Sequence, residues 1–186
     1  KLAPTTDLIG YVDADGATAP AAFLDLVRRC EEADCAIGSR WLPGSVLHQS
    51  QSKQRQIFSR LFHAFVQVLY RMNIKDTQCG AKVMRRQAVE KIHSALRIAD
   101  VAFDINLLYS LKRSGFKILE VPTEWTDKLG SKIKLNKGSL GIILSVVRLR
   151  LVYSPFYRLL RPLRPLEAWI YKKLRAPQPL PGPPPK

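Results

Sequence analysis

The stretch "DLIGYVDADGAT", residues 7 to 18, is an apolar run that stops at two carboxylates one residue apart, Asp13 and Asp15. Asp and Gly are the commonest turn formers, so Asp15-Gly16 alone explains why the run ends. In an extended stretch, however, residues i and i+2 project to the same side, so Asp13 and Asp15 can also converge on one cation where the strand runs out. Oxygen ligands of this kind suit Mg2+ or Mn2+, held by one or two carboxylates together with substrate phosphates. Turn and metal both remain open on this stretch alone.

The residues downstream supply the frame. "PAAFLDLVRRCEEA" (20 to 33) reads as a helix with Pro20 in its first turn and Phe23, Leu24 and Val27 at helical spacing, and "DCAIGS" reads as a second strand. Strand, helix, strand is the grammar of an α/β sheet, in which ligands bind beyond the carboxyl ends of the strands. Residues 53 to 73 form the longest amphipathic helix, with Ile57, Leu61, Phe62, Phe65, Leu69 and Met72 expected to face the core. A strand at "QCGAKVMRR", a helix over 86 to 96, a helix over 103 to 114 closed by Gly115, and a strand at "KILEVPTEW" follow.

With 186 residues, 46% hydrophobic and 24% charged, the chain has the composition of one globular domain. It has no run long and apolar enough for a transmembrane helix and no apolar N-terminal signal segment. Cys30, Cys35 and Cys79 are odd in number and lack ligand spacing, so neither a disulfide framework nor a zinc site is indicated. His48, His63 and His93 likewise lack ligand spacing.

The net charge of +15 points to a phosphate-rich partner. It is unevenly placed: residues 1 to 38 carry a net of −4, residues 39 to 75 hold six basic side chains and no acidic one, and residues 139 to 186 hold nine basic side chains against Glu167. From Ser139 to Arg175, apolar clusters bordered by Trp and Tyr alternate with Arg and Lys, the pattern of basic amphipathic helices in a membrane interface. A helix packed on its own domain with a solvated basic face is the competing reading. Residues 176 to 186 are a Pro-rich tail.

Six separated motifs occur in a definite order: "DADGAT" (13 to 18), "GSR" (38 to 40), "RQIFS" (55 to 59), "DTQCGAKV" (76 to 83), "FDINLL" (103 to 108) and "EWTDKLGSKI" (124 to 133). Over residues 5 to 150 this order resembles family 2 glycosyltransferases of the GT-A fold. Within them it resembles the polyprenyl-phosphate branch, and dolichyl-phosphate β-glucosyltransferases more than mannose synthases.

The resemblance implies a Rossmann-like mixed α/β sheet flanked by helices, occupying residues 1 to 138 and incomplete at its N-terminus. It implies inverting transfer of glucose or mannose from a nucleotide sugar, UDP-glucose or GDP-mannose, to a polyisoprenyl phosphate at the cytoplasmic face of a membrane with an anionic surface. Asp13 and Asp15 would hold Mg2+ or Mn2+, Arg55 and Ser59 would contact the lipid phosphate, and Lys128, Ser131 and Lys132 would close over the diphosphate. Arg40, Asp76 and Gln78 would serve the reacting groups, Asp76 either as a base or in orienting the acceptor. A bare Asp before Thr could equally cap a turn.

Three departures stand out. Ala17 replaces the Gln that mannose synthases often carry, Asn106 replaces a Glu, and nothing matches the upstream loop that grips the nucleotide base. The chain opens on Lys1 rather than Met, and on its own it is expected to be inactive, with an open sheet edge. A nucleic-acid-binding protein is the first rival, disfavoured because no recognisable binding motif is present and the start is acidic. A non-catalytic membrane-surface module is the second.

Overall fold

The computed structural model describes residues 6–48, 53–96, 102–126, 137–154 and 169. In chain order the elements are β1 (Leu8–Val12), α1 (Pro20–Arg29), β2 (Cys35–Ser39), β3 (Val46–Leu47), α2 (Lys53–Tyr70), β4 (Ala81–Arg85), α3 (Arg86–Ile92), a 3₁₀ turn (His93–Ala95), α4 (Phe103–Arg113), β5 (Ile118–Pro122), β6 (Glu124–Trp125) and α5 (Lys137–Val152). The chain divides into two compact units, Lys1–Ser131 and Lys132–Lys186.

In the first unit, four strands form one mixed sheet in the order β1-β4-β2-β5, and β3 pairs with β6 in a small parallel ribbon. β4 runs antiparallel to both β1 and β2, whereas β5 runs parallel to β2. Side chains alternate between the two faces. Ala36 of β2, Ala81 and Val83 of β4 and Val121 of β5 therefore meet Leu26 and Cys30 from α1 and its C-terminus. The alternate residue Lys82 projects to the other face, where it reaches Asp104 of α4. Both sides of the central strands are covered, which is why β2 is buried at every position.

α1 stops at Arg29, four residues short of the sequence expectation. The N–H groups of Glu31 and Glu32 bond back three residues, to the carbonyls of Arg28 and Arg29, and this tightens the last turn. Carboxylates are also unfavourable at the negative end of a helix. β1, formed by the opening apolar run, is only half-buried: among the described residues it pairs with β4 alone, and Val12 is exposed.

α2 corrects the expectation further. Phe62 and Met72 are buried as read, together with Val66 and Tyr70, but Ile57 and Leu61 are 59% and 65% exposed. With Val68, 79% exposed, they form a second apolar stripe on the opposite side of the helix. A Leu61→Ser change should therefore alter stability by less than about 0.5 kcal/mol. Phe62→Ala should cost about 3–5 kcal/mol. Denaturant midpoints of the two variants measure the contrast.

In the second unit, α5 begins at Lys137 and buries Ser145, Val146 and Leu149 while leaving Leu151 exposed. No helix among the described residues is long and apolar enough to cross a membrane. Of the amphipathic segment expected over residues 139–175, residues 155–168 and 170–175 lie outside the described residues, as does the Pro-rich tail.

Candidate active site

The sheet brings one end of several elements together. β1, β2 and β5 run the same way and β4 runs against them, so the residues after β1, β2 and β5 meet the residues before β4. The register pairs Val12 with Ala81, and one step beyond, the Asp13 N–H donates to the Gly80 carbonyl at 2.8 Å. Four stretches far apart in sequence thus converge: the Asp13–Ala17 turn, Ser39–Arg40, Asp76–Gly80 and Thr123–Trp125.

Asp15 is a turn residue: its Oδ1 accepts the Ala17 N–H at 2.9 Å, and Gly16 takes the positive φ of 66° that the turn requires. The turn is tied down in turn, because the Ala17 carbonyl accepts the Thr126 N–H at 2.8 Å and Thr18 bridges Trp125. Ala17 is buried in this seam.

Asp13 is seated on Gly80. A Cβ at position 80 would lie 2.0 Å from Asp13 Oδ2, so only glycine admits the carboxylate there. Partial burial, then the charges of Asp15 and Asp104, push the Asp13 carboxyl up, against the opposing pull of Lys82 and Arg40. Two carboxylates on one turn suit a divalent cation that completes its shell with phosphate oxygens and water. Among the described residues no cluster of three or more His, Cys, Asp or Glu side chains is arranged to enclose a metal.

Arg40 and Asp76 form one unit. The Arg40 Nε and backbone N–H donate to Asp76 Oδ2 at 2.7 and 3.0 Å, and Nη2 donates to Oδ1 at 2.9 Å. Burial of Asp76 works against ionisation, but these Arg40 contacts win and hold its carboxyl below the usual range. Glu120 of β5 fixes the same turn by accepting the Lys75 and Asp76 N–H groups at 2.8 and 2.9 Å. The Arg40 guanidinium also lies 5.3 Å from the centre of the Trp125 ring. Gln78 is half-buried in this turn, and Cys79 is fully buried with its thiol pushed up to about 11 by desolvation.

α2 is brought beside the site through His63, whose ring meets Trp41 edge-on with centroids 4.7 Å apart. Ser59 falls on the same helical face as the buried Phe62 and Val66, opposite the exposed Ile57, Leu61 and Val68. Position 55 lies one turn before Ser59 on that inner face; the Arg55 side chain lies outside the described residues. Lys128, Ser131 and Lys132 lie outside them altogether.

Three participants were not singled out by the sequence reading. Gly80 stands inside a motif it quoted, but the need for glycine there arises only from β1 lying alongside. Lys82 and Tyr11 are direct partners across the β1–β4 pair, and both reach Asp104 Oδ1, at 2.8 and 2.5 Å. No local pattern announces such a pairing.

No protein-family model matches the chain. The chain is 38% identical over 148 residues to a dolichyl-phosphate beta-glucosyltransferase of Dictyostelium discoideum, covering 76% of this chain and 45% of the relative. It is 31% identical over 144 residues to the glycosyltransferase AglD of Haloferax volcanii, covering 76% of this chain and 23% of that protein. A polyprenol monophosphomannose synthase of Mycolicibacterium smegmatis is 32% identical over 119 residues, covering 63% of this chain and 44% of the synthase. The chain thus spans less than half the length of these curated relatives.

Proposed function

This chain is a relative of the family 2 polyprenyl-phosphate glycosyltransferases, and from that premise we propose that it carries the diphosphate-side and acceptor-side groups of such an enzyme. The donor is a nucleotide-activated hexose, UDP-glucose or GDP-mannose, and the acceptor a polyisoprenyl phosphate. The observation that carries the reading is the convergence of Asp13, Asp15 and the Arg40–Asp76 pair at one end of the sheet, with the inner face of α2 alongside.

In the reaction, an oxygen of the acceptor phosphate attacks the anomeric carbon from the side opposite the leaving group. The bond to the diphosphate breaks with its electron pair, and a nucleoside diphosphate departs. A phosphate monoester with a second pKa near 6 is largely dianionic at neutral pH, so a strong general base is dispensable. Asp76 accordingly serves by holding the Arg40 fork rather than by taking a proton, since Arg40 engages both of its oxygens. Arg40, with Arg55 and Ser59 from α2, steadies the anionic groups. Mg2+ or Mn2+ at Asp13 and Asp15 would neutralise the charge developing on the leaving diphosphate. Lys128, Ser131 and Lys132 are assigned to the same diphosphate.

Placement on a membrane surface is supported by the outer stripe of α2, Ile57, Leu61 and Val68, beside the exposed Arg60 and Arg71. Apolar residues rimmed by cations suit an anionic interface, with the cytoplasmic face the proposed side. Leu61→Asp should reduce cosedimentation with anionic vesicles at least about tenfold, because a buried leucine is worth roughly 1.5–3 kcal/mol. Unchanged binding would place the membrane contact elsewhere. The acceptor assignment is tested by Arg55→Ala in the full-length protein. The KM for polyprenyl phosphate should rise at least about tenfold with that for the nucleotide sugar nearly unchanged. Equal losses for both substrates would overturn it.

A further inference from the structure

Lys82 is fully buried on the α4 face of the sheet, where it forms an ion pair with Asp104. Its Nζ donates to the Cys79 carbonyl at 2.6 Å and to Asp104 Oδ1 at 2.8 Å, and it lies 5.5 Å from the centre of the Tyr11 ring. The Tyr11 hydroxyl donates to the same Asp104 oxygen at 2.5 Å. Apolar residues of similar volume commonly replace a buried ion pair without loss of stability, so a pair of this kind is poorly explained by stability alone.

What Lys82 grips is informative. The Cys79 carbonyl belongs to the peptide unit that enters Gly80, and pinning its oxygen fixes the plane of that unit. Gly80 in turn accepts the Asp13 N–H and lies directly beneath the Asp13 carboxylate. We propose that Lys82 is a positioning residue for Asp13: through Cys79 and Gly80 it sets where that carboxylate stands, and Asp104 and Tyr11 hold the ammonium in place. The inference deepens the reading above and rests on it only for the identity of the ion that Asp13 serves.

Lys82→Met/Asp104→Leu removes both charges together, so the sheet should keep its fold while the Cys79 carbonyl loses its anchor. Amide exchange at Asp13 should accelerate at least about tenfold, with exchange in β2 unchanged. Mn2+ affinity, followed by electron paramagnetic resonance without turnover, should fall about 10–100-fold, the range for supporting shells of metal ligands. Asp104→Asn alone, which leaves the Lys82–Cys79 bond, should weaken Mn2+ binding less than about threefold. Lys82→Gln/Asp104→Asn, uncharged and closer in volume, supplies a second variant with the expectation of the double apolar one, since the shorter Gln falls short of the Cys79 oxygen.

A folded double variant with unaltered exchange at Asp13 would overturn the proposal. So would Asp104→Asn matching the double variants at Asp13, because the pair would then act only by fastening α4 to the sheet. Failure of the unaltered protein to bind Mn2+ would instead sink the metal reading, and the exchange measurement would still decide the role of Lys82.

Discussion

Gly80→Ala is expected to leave the protein folded and to lower hexose transfer at least about a hundredfold, on the order of 3 kcal/mol of transition-state stabilisation. The added methyl would stand 2.0 Å from Asp13 Oδ2 and 2.2 Å from its Cγ, and no adjustment of tenths of an ångström relieves such contacts. The two nearest atoms belong to the carboxylate, which can swing away, and the third, Asp13 Cβ at 2.9 Å, requires only a small further shift of β1. A displacement of about 1 Å in a reacting constellation is enough for a loss of this size. If Asp13 is the reason for the loss, Gly80→Ala/Asp13→Ala should be no worse than Asp13→Ala alone. Steady-state kinetics of the three variants of the full-length protein measure this. Near-normal transfer by Gly80→Ala would show that the position of Asp13 is immaterial.

Arg40→Met should cost about 3–5 kcal/mol at neutral pH and reverse the pH dependence contributed by Asp76. With Arg40 present, the folded-state pKa of Asp76 lies below its unfolded value of about 3.9. Its contribution is then full above that unfolded value and is lost as pH falls through the lower, folded one. Without the guanidinium, burial acts largely unopposed and raises the folded pKa. Stability then survives below about pH 3.9 and drains away as pH rises through the new value. Denaturant midpoints between about pH 4 and pH 7 should be level for this group in the unaltered protein and fall in the variant. A second change, Asp76→Asn, should flatten the curve again. Parallel curves would mean that Asp76 is not held by Arg40.

The sequence already located Asp13 and Asp15 beyond a strand, because an apolar run, a turn and a helix opened by Pro20 follow one another locally. It also grouped Arg40 and Asp76 in one site, through motifs whose order resembles a family. α2 was harder: Ile57 and Leu61 alternate with Phe62 and Val66 along a helix apolar on two sides, and helical spacing does not say which side meets the sheet. Gly80 and Lys82 were beyond local reading for a different reason. Their roles come from the antiparallel pairing of β1 with β4, which sets Tyr11 opposite Lys82 across 70 intervening residues. The turn half of the choice posed at Asp15 is met, since its Oδ1 accepts the Ala17 N–H.

Transfer of labelled hexose to dolichyl phosphate by the full-length protein tests the central claim most directly. A lipid-extractable hexosyl phosphate should form from UDP-glucose or GDP-mannose in the presence of Mg2+ or Mn2+, and it should disappear with chelator and fall at least about a hundredfold in Asp13→Asn. No labelled lipid from either donor, or transfer undiminished in excess chelator and in Asp13→Asn, would contradict the account.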